Sequence, residues 1–400
     1  IVLTAPMADP PSILSAPGFG VVPAAAARGE RAPLLGPTSG PYTVESQDAS
    51  VLVLRRAPAT STEAARPDVV EVRRFDNDAA AAETYDGGAG ASRLGRGTLD
   101  IHDELEAALT ELTGAPSALV LSTGYAANLA ALTTLADAGT LIVSDEHTHA
   151  SLIDGCRLSR AAVTVSRHND LDHVADLLSR RDAPRAVVVA ESIYSVLGDA
   201  APVEDLIALT DEVGALLIID EAHALGVVGP RGGGLVAAAG QAGAEHVVVT
   251  GTLSKAFGSQ GGAVLSSPDI REHLVNTARP FIYDTGLAPA AAGAALAALG
   301  VLADHPELLD RLGATAARLA EACGVPAPAG AVMSVRMPGP HEAVDAVERA
   351  RAHGIRIGCF RPPSTPDGSS RLRLTAHADL DDADLERACA VLETLVPDHG

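Results

Sequence analysis

Short apolar runs alternate with helical patterns through the middle of the chain, and this alternation limits the possible fold more than any other feature. Strand patterns occur at 119–122, 141–144, 162–166, 186–190, 216–220, 246–250 and 262–266. Helical patterns lie between several of them, at 126–135, 171–178 and 203–213, and another covers 102–112. Such alternation is typical of βαβ units. We therefore predict an α/β fold with a mostly parallel sheet and helices on both faces.

The two ends of the chain have a different character. Residues 1–88 are rich in Pro, Ala and Gly without a lasting period, which indicates a divergent N-terminal segment. After residue 285, Ala-rich helical patterns at 289–303 and 306–322 precede strand patterns at 332–335 and 372–374. We predict a large domain over 89–285 and a smaller C-terminal α+β domain over 286–400.

Charge and composition exclude several classes of protein. A formal net charge of -22 argues against a nucleic-acid partner, which requires a basic surface. The apolar stretches are too short to predict a membrane span, and residues 1–23 lack the basic start of a secretory signal. The four cysteines show no paired spacing, so neither disulfides nor a metal site is expected. We expect a cytoplasmic protein without membrane partners.

The chain has a single lysine, Lys255, although lysine and arginine together number 29. It follows the predicted strand 246–250, and loops at strand ends are where α/β sheets place reactive groups. Arginine keeps its proton, whereas a desolvated lysine can lose it and attack a carbonyl. The use of lysine rather than arginine at this one position therefore indicates a need for an amine. The alternative is a solvated surface lysine.

Asp220 ends the predicted strand 216–220, and Glu221, Ala222 and His223 follow it. An acid at the end of a buried strand needs a partner, because an unpaired buried carboxylate costs several kcal/mol. A protonated pyridine nitrogen is such a partner, and the pairing keeps the ring an electron sink. His223 could reach the phenolic oxygen of the same ring. The alternatives are a helix N-cap for Asp220 and a surface position for His223.

Three more candidates follow other predicted strands. The stretch Ser122-Thr123-Gly124-Tyr125-Ala126 joins a strand to a helix, where exposed backbone amides can bind a phosphate. His149 opens a helix, and its ring could stack on a planar cofactor. Ser195 could donate to the ring oxygen or the phosphate. Each of them could equally be an ordinary turn or helix-start residue.

Taken together and in this order, these stretches resemble the α-oxoamine synthases. These are fold-type-I pyridoxal-phosphate enzymes that join an amino acid to an acyl thioester with decarboxylation. The resemblance runs from about residue 90 to the C-terminus. It includes Ser92-Arg93-Leu94, SLIDGCRLSRA from Ser151 to Ala161, His168-Asn169-Asp170, and TLSKAFGSQGG from Thr252 to Gly262.

The resemblance implies a role for each matching residue. Lys255 would hold pyridoxal 5'-phosphate as a Schiff base and act as the general base. Asp220 would pair with the pyridine nitrogen, His223 would neighbour the phenolic oxygen, and His149 would stack on the ring and donate a proton. Further cofactor contacts are implied for Gly124, Tyr125, Ser195 and Thr252, and Thr285 would serve the phosphate of the neighbouring subunit in a homodimer.

Two phrases near the C-terminus bear on the substrate: Phe360-Arg361-Pro362-Pro363-Ser364 and Ser370-Arg371-Leu372-Arg373-Leu374-Thr375. Both look closest to the biotin-pathway branch of the family. The resemblance then implies that Arg373 binds the amino-acid carboxylate, a task suited to a bidentate guanidinium. It also implies that Ser364 and His149 contact the substrate. The expected substrates are L-alanine and a pimeloyl thioester, carried by coenzyme A or a carrier protein.

The match has departures near the expected substrate. Val196-Leu197-Gly198-Asp199 stands where the family has Met-Asp-Gly-Asp, Ala224 replaces a usual glycine, and the family's Ser-Asn-Asp-Tyr-Leu-Gly phrase has no convincing counterpart. Three alternatives follow. The chain could be another α-oxoamine synthase with a different amino acid or acyl thioester, a fold-type-I aminotransferase, or a cofactor-binding homologue with impaired catalysis.

Overall fold

The computed structural model describes residues 42–47, 51–56, 69–73, 88–365 and 367–396. The chain divides into two compact units, Ile1–Ala80 and Ala81–Gly400. In the first unit, β1 (Tyr42–Gln47), β2 (Val51–Arg56) and β3 (Val69–Arg73) form an antiparallel sheet in that order. The rest of the predicted segment 1–88 lies almost wholly outside the described residues, and the domain limits at 88 and 285 remain predictions.

A seven-stranded, mostly parallel sheet forms the centre of the second unit, as predicted. Its order is β4-β10-β9-β8-β7-β5-β6, and only β10 runs antiparallel to its neighbours. Each predicted strand is present, with bounds within two residues of those expected. The strands are β4 (Ser117–Leu121), β5 (Thr140–Asp145), β6 (Ala162–Ser166), β7 (Arg185–Glu191), β8 (Leu216–Asp220), β9 (Val247–Thr252) and β10 (Gly262–Ser266).

Helices cover both faces of this sheet, which confirms the predicted layers. Along β7, Val188 and Ala190 belong to one buried cluster, whereas Val187 and Val189 belong to the cluster on the opposite face. This alternation follows from the two-residue period of a strand. The helices are α1 (Asp100–Thr113), α2 (Gly124–Leu135), α3 (Ala150–Ser159), α4 (Leu171–Ser179), α5 (Val203–Glu212), α6 (Leu235–Ala238), α7 (Pro268–Thr277) and α8 (Arg279–Ile282).

A smaller α+β part follows, again as predicted. Its antiparallel sheet has the order β11-β13-β12, and Leu372 and Leu374 of β13 point into a separate apolar core. The intervening Arg373 therefore leaves β13 on the other face. The elements are α9 (Pro289–Asp304), α10 (Glu307–Ala322), β11 (Val332–Arg336), α11 (Pro340–Ala352), β12 (Gly358–Phe360), β13 (Arg371–Thr375) and α12 (Asp382–Leu395).

The carboxyl ends of the parallel strands meet at one edge of the large sheet, because parallel strands share a direction. Glu191 ends β7, Asp220 ends β8 and Thr252 ends β9. Polar side chains from three strands thus gather at this edge. Within the described ranges, every helix is too short or too polar to cross a membrane.

Candidate active site

A cavity of about 310 Å³ lies at this edge of the sheet. Seven of the predicted site residues line it, although they come from well-separated parts of the chain: Gly124, Tyr125, His149, Ser195, Asp220, Thr252 and Lys255. Residues that the sequence did not single out line it too, notably Asn128, Glu191 and Ser254. The fold therefore gathers the predicted polar groups around one space.

Lys255 presents its amine to a buried histidine. Its Nζ lies 2.9 Å from Nε2 of His223. Lys255 borders the cavity and is exposed there. The protein atoms packed around its amine nevertheless disfavour the charged form, and this desolvation lowers the pKa of Lys255. Burial, and then the charge of Lys255, lower the pKa of His223 to about 3. The neutral imidazole of His223 therefore accepts a hydrogen bond from Nζ, and this contact helps to orient the lysine side chain.

Asp220 is buried, and each of its two carboxylate oxygens accepts a hydrogen bond. Its Oδ1 accepts the backbone N–H of Ala222 at 2.8 Å, and its Oδ2 accepts Nδ2 of Asn128 at 2.7 Å. Each carboxylate oxygen has a second lone pair for a donor in the cavity. Asp220 is thus held in place at the cavity as a hydrogen-bond acceptor.

Asn128 is a functional residue that the sequence analysis missed. Its amide group donates to both Asp220 and Ser151, at 2.7 and 2.8 Å, and accepts from Thr250. It is 2% exposed, so these bonds are made without competition from water. A single asparagine in an otherwise apolar helical stretch was the available signal.

His149 caps α3 and lines the cavity. The backbone N–H of Ser151 donates to its Nδ1 at 3.2 Å, and the Ser151 hydroxyl lies 2.7 Å from the same atom. An Nδ1 that accepts leaves the ring proton on Nε2. The imidazole therefore has a fixed tautomer and a flat face beside the cavity.

The start of α2 forms another side of the cavity. The Thr123 side chain caps the helix by accepting from the N–H of Ala126 at 3.0 Å. A Cβ at Gly124 would lie 2.8 Å from Cβ of Thr252, so glycine allows this close approach. The Thr252 and Ser254 hydroxyls are 2.8 Å apart. The backbone amides at the start of α2 are suitable donors for a phosphate.

Glu191, also missed by the sequence analysis, lies opposite Asp220 on the neighbouring strand. Burial, and then the charge of Asp220, raise its pKa to about 8. Its Oε2 accepts the Ser195 N–H at 3.2 Å, whereas Oε1 has no partner among the described residues. Burial beside Asp220 thus favours the protonated form of this carboxyl at the cavity. It ends an apolar strand just as Asp220 does, so the same signal could have found it.

Arg373 approaches the site from the small sheet. Its Nε donates to the Ser195 carbonyl at 2.8 Å, and its guanidinium lies 5.8 Å from the Phe360 ring. It lines a second, largely apolar cavity of about 660 Å³, which His223 and Lys255 also border. Arg373 and Lys255 thus face a common space, and among the described residues the other two guanidinium nitrogens have no hydrogen-bond partner.

Four predicted residues do not line the cofactor cavity: His223 and Arg373 border the second cavity, and Ser364 and Thr285 border neither. Ser364 is exposed after β12, and Thr285 is exposed, paired through its backbone with Ser92. The substrate role of Ser364 and the role of Thr285 toward a neighbouring subunit remain predictions.

The residues around the cavity fit pyridoxal 5'-phosphate at three of its functional groups. The lysine amine suits the aldehyde, the held Asp220 carboxylate suits the pyridine nitrogen, and the start of α2 suits the phosphate. His149 and Ala222 line the cavity as well and offer surfaces for a planar ring. Fold and site together define a pyridoxal-phosphate-dependent transferase of fold type I.

The chain belongs to the family of class I and II aminotransferases, whose model matches residues 72–392. Within it, the chain is similar to 8-amino-7-oxononanoate synthases. It is 52% identical over 321 residues to the one from Mycolicibacterium gilvum, covering 80% of this chain and 84% of the relative. It is 53% identical over 331 residues to the one from Mycolicibacterium smegmatis, covering 82% and 84%.

This chain is also similar to solved structures. A serine palmitoyltransferase from Sphingomonas wittichii matches with a TM-score of 0.76 and 31% identity, covering 80% of this chain and 82% of that one. An 8-amino-7-oxononanoate synthase from Francisella tularensis matches with a TM-score of 0.67 and 25% identity, covering 80% and 92%. The predicted α-oxoamine synthase resemblance and the predicted cofactor are confirmed.

Proposed function

We propose that this protein condenses L-alanine with a pimeloyl thioester and releases carbon dioxide, giving 8-amino-7-oxononanoate for biotin synthesis. The observation that carries the proposal is the position of Lys255. Its amine borders the cofactor cavity on one side and the space lined by Arg373 on the other. An amino acid bound by Arg373 then has its α-carbon near that amine. The sequence identity of 52% and 53% to two 8-amino-7-oxononanoate synthases supports the choice of substrates.

When bound, pyridoxal 5'-phosphate withdraws electrons from the α-carbon of the amino acid and so stabilises a carbanion there. Asp220 would support this by accepting a hydrogen bond from the protonated ring nitrogen, which would keep the ring positively charged. Lys255 removes the α-proton, since burial lowers its pKa and neutral His223 orients it. Arg373 holds the substrate carboxylate. His149 carries its proton on Nε2 and serves as the proton donor.

The wider setting is also part of the proposal. We expect a homodimer in the cytoplasm, with coenzyme A or a carrier protein as the acyl carrier. The exposed position of Thr285, outside the cavity of its own chain, suits a contact with the cofactor phosphate of a neighbouring subunit.

A different acyl thioester is the second candidate. The apolar cavity of about 660 Å³ beside Lys255 is larger than a seven-carbon acyl group requires, and a serine palmitoyltransferase is among the similar structures. This alternative keeps the same lysine, aspartate and arginine in the same roles.

One assay separates these possibilities. The purified protein, loaded with cofactor, is mixed with L-alanine and pimeloyl-CoA or a pimeloyl carrier protein, and free thiol and carbon dioxide are measured. Thiol release with L-alanine but not with glycine is expected. Preference for L-serine with a long-chain thioester would favour the second candidate. Absence of the visible absorption band of the bound cofactor would contradict both.

A further inference from the structure

A cluster of polar side chains lies beside the cofactor cavity at the carboxyl end of β5, around His168. Its Nδ1 lies 2.9 Å from Oδ1 of Asp145, and its Nε2 lies 2.7 Å from Oδ2 of Asp199. The His168 side chain is 16% exposed and that of Asp145 is 8% exposed. One imidazole therefore bridges two carboxylates that come from different loops.

The bridge requires a charged ring. A neutral imidazole has one N–H, so only an imidazolium can donate to a carboxylate from both nitrogens. Burial alone would lower the pKa of His168, but the hydrogen bonds to Asp145 and Asp199 raise it to about 9. His147 stacks on His168 with ring centroids 3.8 Å apart, and burial, followed by the charge of His168, lowers the pKa of His147. The stacked neighbour is thus neutral.

Surrounding groups hold the bridge in place. The Asn169 N–H donates to Oδ2 of Asp145 at 2.8 Å, and its Nδ2 donates to Oδ2 of Asp199 at 3.0 Å. Asn169 reaches both with a left-handed backbone, at φ 54°. Tyr194 packs edge-on against His168, and the His168 N–H donates to Glu146. Two histidines, a tyrosine and three acids are the titratable groups that face one another here.

Asp199 closes a loop that also reaches the substrate side. In this loop, residues 193–200, the Tyr194 N–H donates to the Asp199 carbonyl at 2.9 Å and Ile193 pairs with Ala200. The same loop carries Ser195, whose carbonyl accepts Nε of Arg373 at 2.8 Å. Between them, Gly198 packs so closely on β11 that a Cβ there would lie 2.1 Å from the Val332 carbonyl oxygen. The loop therefore connects His168 to Arg373.

We propose that His168 is a positioning residue for the amino-acid substrate. Its imidazolium ties Asp199 to Asp145, which fixes the 193–200 loop, and the Ser195 carbonyl of that loop aims Arg373 at the substrate carboxylate. The inference deepens the proposed function and rests on one part of it, the binding of an amino acid by Arg373. His168 itself does not line either of the two cavities.

The first test measures L-alanine binding without any acyl donor, from the change in the visible absorption of the bound cofactor. In His168→Gln we expect the dissociation constant to rise about tenfold, as loss of one charged hydrogen bond predicts. The KM for L-alanine should rise similarly, while kcat changes by less than about threefold. His305→Asn is the matched control, because it removes an exposed His–Glu pair of 3.0 Å; it should leave the dissociation constant within about twofold.

The second test reads the charge of the ring. Nitrogen-15 NMR of labelled histidines should show both His168 nitrogens protonated at pH 7.5, with that signal absent in His168→Gln. The alanine affinity advantage of the wild-type protein over His168→Gln should shrink as pH rises through about 9, where the imidazolium is lost. Comparison with the variant removes the contributions of Lys255 and of the alanine amine.

A folded His168→Gln protein with wild-type alanine affinity would overturn the proposal, as would a neutral His168 ring at pH 7.5. If His168→Gln does not fold, Asp199→Asn carries the test. It keeps the shape of the side chain, removes one charge and should weaken alanine binding in the same direction. Unchanged alanine affinity in a folded Asp199→Asn would then count against the proposal. Since no acyl donor is present, failure of the pimeloyl thioester reaction leaves these outcomes readable.

Discussion

The Lys255 amine owes its expected reactivity to its neighbours rather than to its residue type alone. A neutral histidine 2.9 Å away accepts from it, and packing disfavours its ammonium form. A free amine is the form that attacks an aldehyde and later removes a proton. An arginine in this place would fit a similar volume but keep its proton.

Substitution of Lys255 tests this directly. Lys255→Ala should abolish thiol release from pimeloyl thioester, and Lys255→Arg should do no better, because guanidinium cannot form the imine. The thermal midpoint of each variant, measured alongside, shows that the fold survives. Comparable turnover in either folded variant would contradict the assigned role.

Asp220→Asn should weaken cofactor binding and slow turnover by about 10- to 100-fold, the amount expected for loss of a charge-assisted hydrogen bond. The neutral amide cannot hold the ring nitrogen in its protonated form as a carboxylate does. Cofactor affinity is measured by titration of the visible absorption. Asp304→Asn, an exposed acid at the end of α9, is the control; an equal effect of both changes would refute the pairing.

Residue types at strand ends predicted much of the site. Lys255, Asp220 and His149 each follow an apolar run, and the fold brings them to one cavity. Asn128 stands out in the sequence as a lone asparagine, but its contacts could not be predicted, because its three partners are distant in sequence. Likewise, the contact of Arg373 with the Ser195 carbonyl joins two elements whose relative position no local pattern encodes.

At the scale of elements, the sheet edge depends on how α2 is attached to it. Asn128 on α2 bonds to Asp220 after β8, to Ser151 on α3 and to Thr250 on β9. Removing a group with several buried partners leaves those partners unsatisfied. The helix start that faces the cavity is therefore held by the same side chain that orients Asp220.

Asn128→Leu should lower the free energy of unfolding by about 2–4 kcal/mol, since it leaves buried polar partners without their bonds. It should also weaken cofactor binding. Chemical denaturation with and without cofactor checks both effects. Thr133→Ala on the same helix removes a hydroxyl whose one partner among the described residues is the Leu129 carbonyl, and should change stability by less than about 0.5 kcal/mol. Equal losses of stability in the two variants would contradict this role of Asn128.

Strand positions were predictable because a buried strand is an uninterrupted apolar run. Strand direction was not: Gly262–Ser266 reads like its neighbours, yet β10 is antiparallel to both β4 and β9. The apolar pattern is the same whichever way a buried strand runs. The three-residue strand β12 is too short to give any period.

For the molecule as a whole, three groups make stability depend on pH in the same direction. The pKa values of His168, Glu191 and Glu221 are raised in the folded state, to about 9, 8 and 7. For each, the unfolded chain loses its proton at a lower pH than the folded chain does. These three contributions to stability are therefore lost as pH rises toward the folded-state values, whereas the lowered pKa of Lys255 contributes in the opposite direction.

The His168 share of this loss can be isolated. Its stabilising contribution is complete below about pH 6.5, the ordinary histidine value, and is lost as pH rises to about 9. The free energy of unfolding of the wild-type protein should fall, relative to His168→Gln, by about 2–3 kcal/mol across that window. Denaturation series at pH 6.5 and 9 give the comparison. Parallel curves for the two proteins would rule out the raised pKa.

Because Lys255 is the chain's one lysine, its amine can be observed without any assignment procedure. Protein grown on isotope-labelled lysine carries a single ε-methylene per chain, so one resonance reports that group. Its chemical shift against pH would give the ionisation of the amine directly, in the free protein and again with each bound ligand. The scarcity of lysine thus turns this chain into a naturally single-site spectroscopic probe.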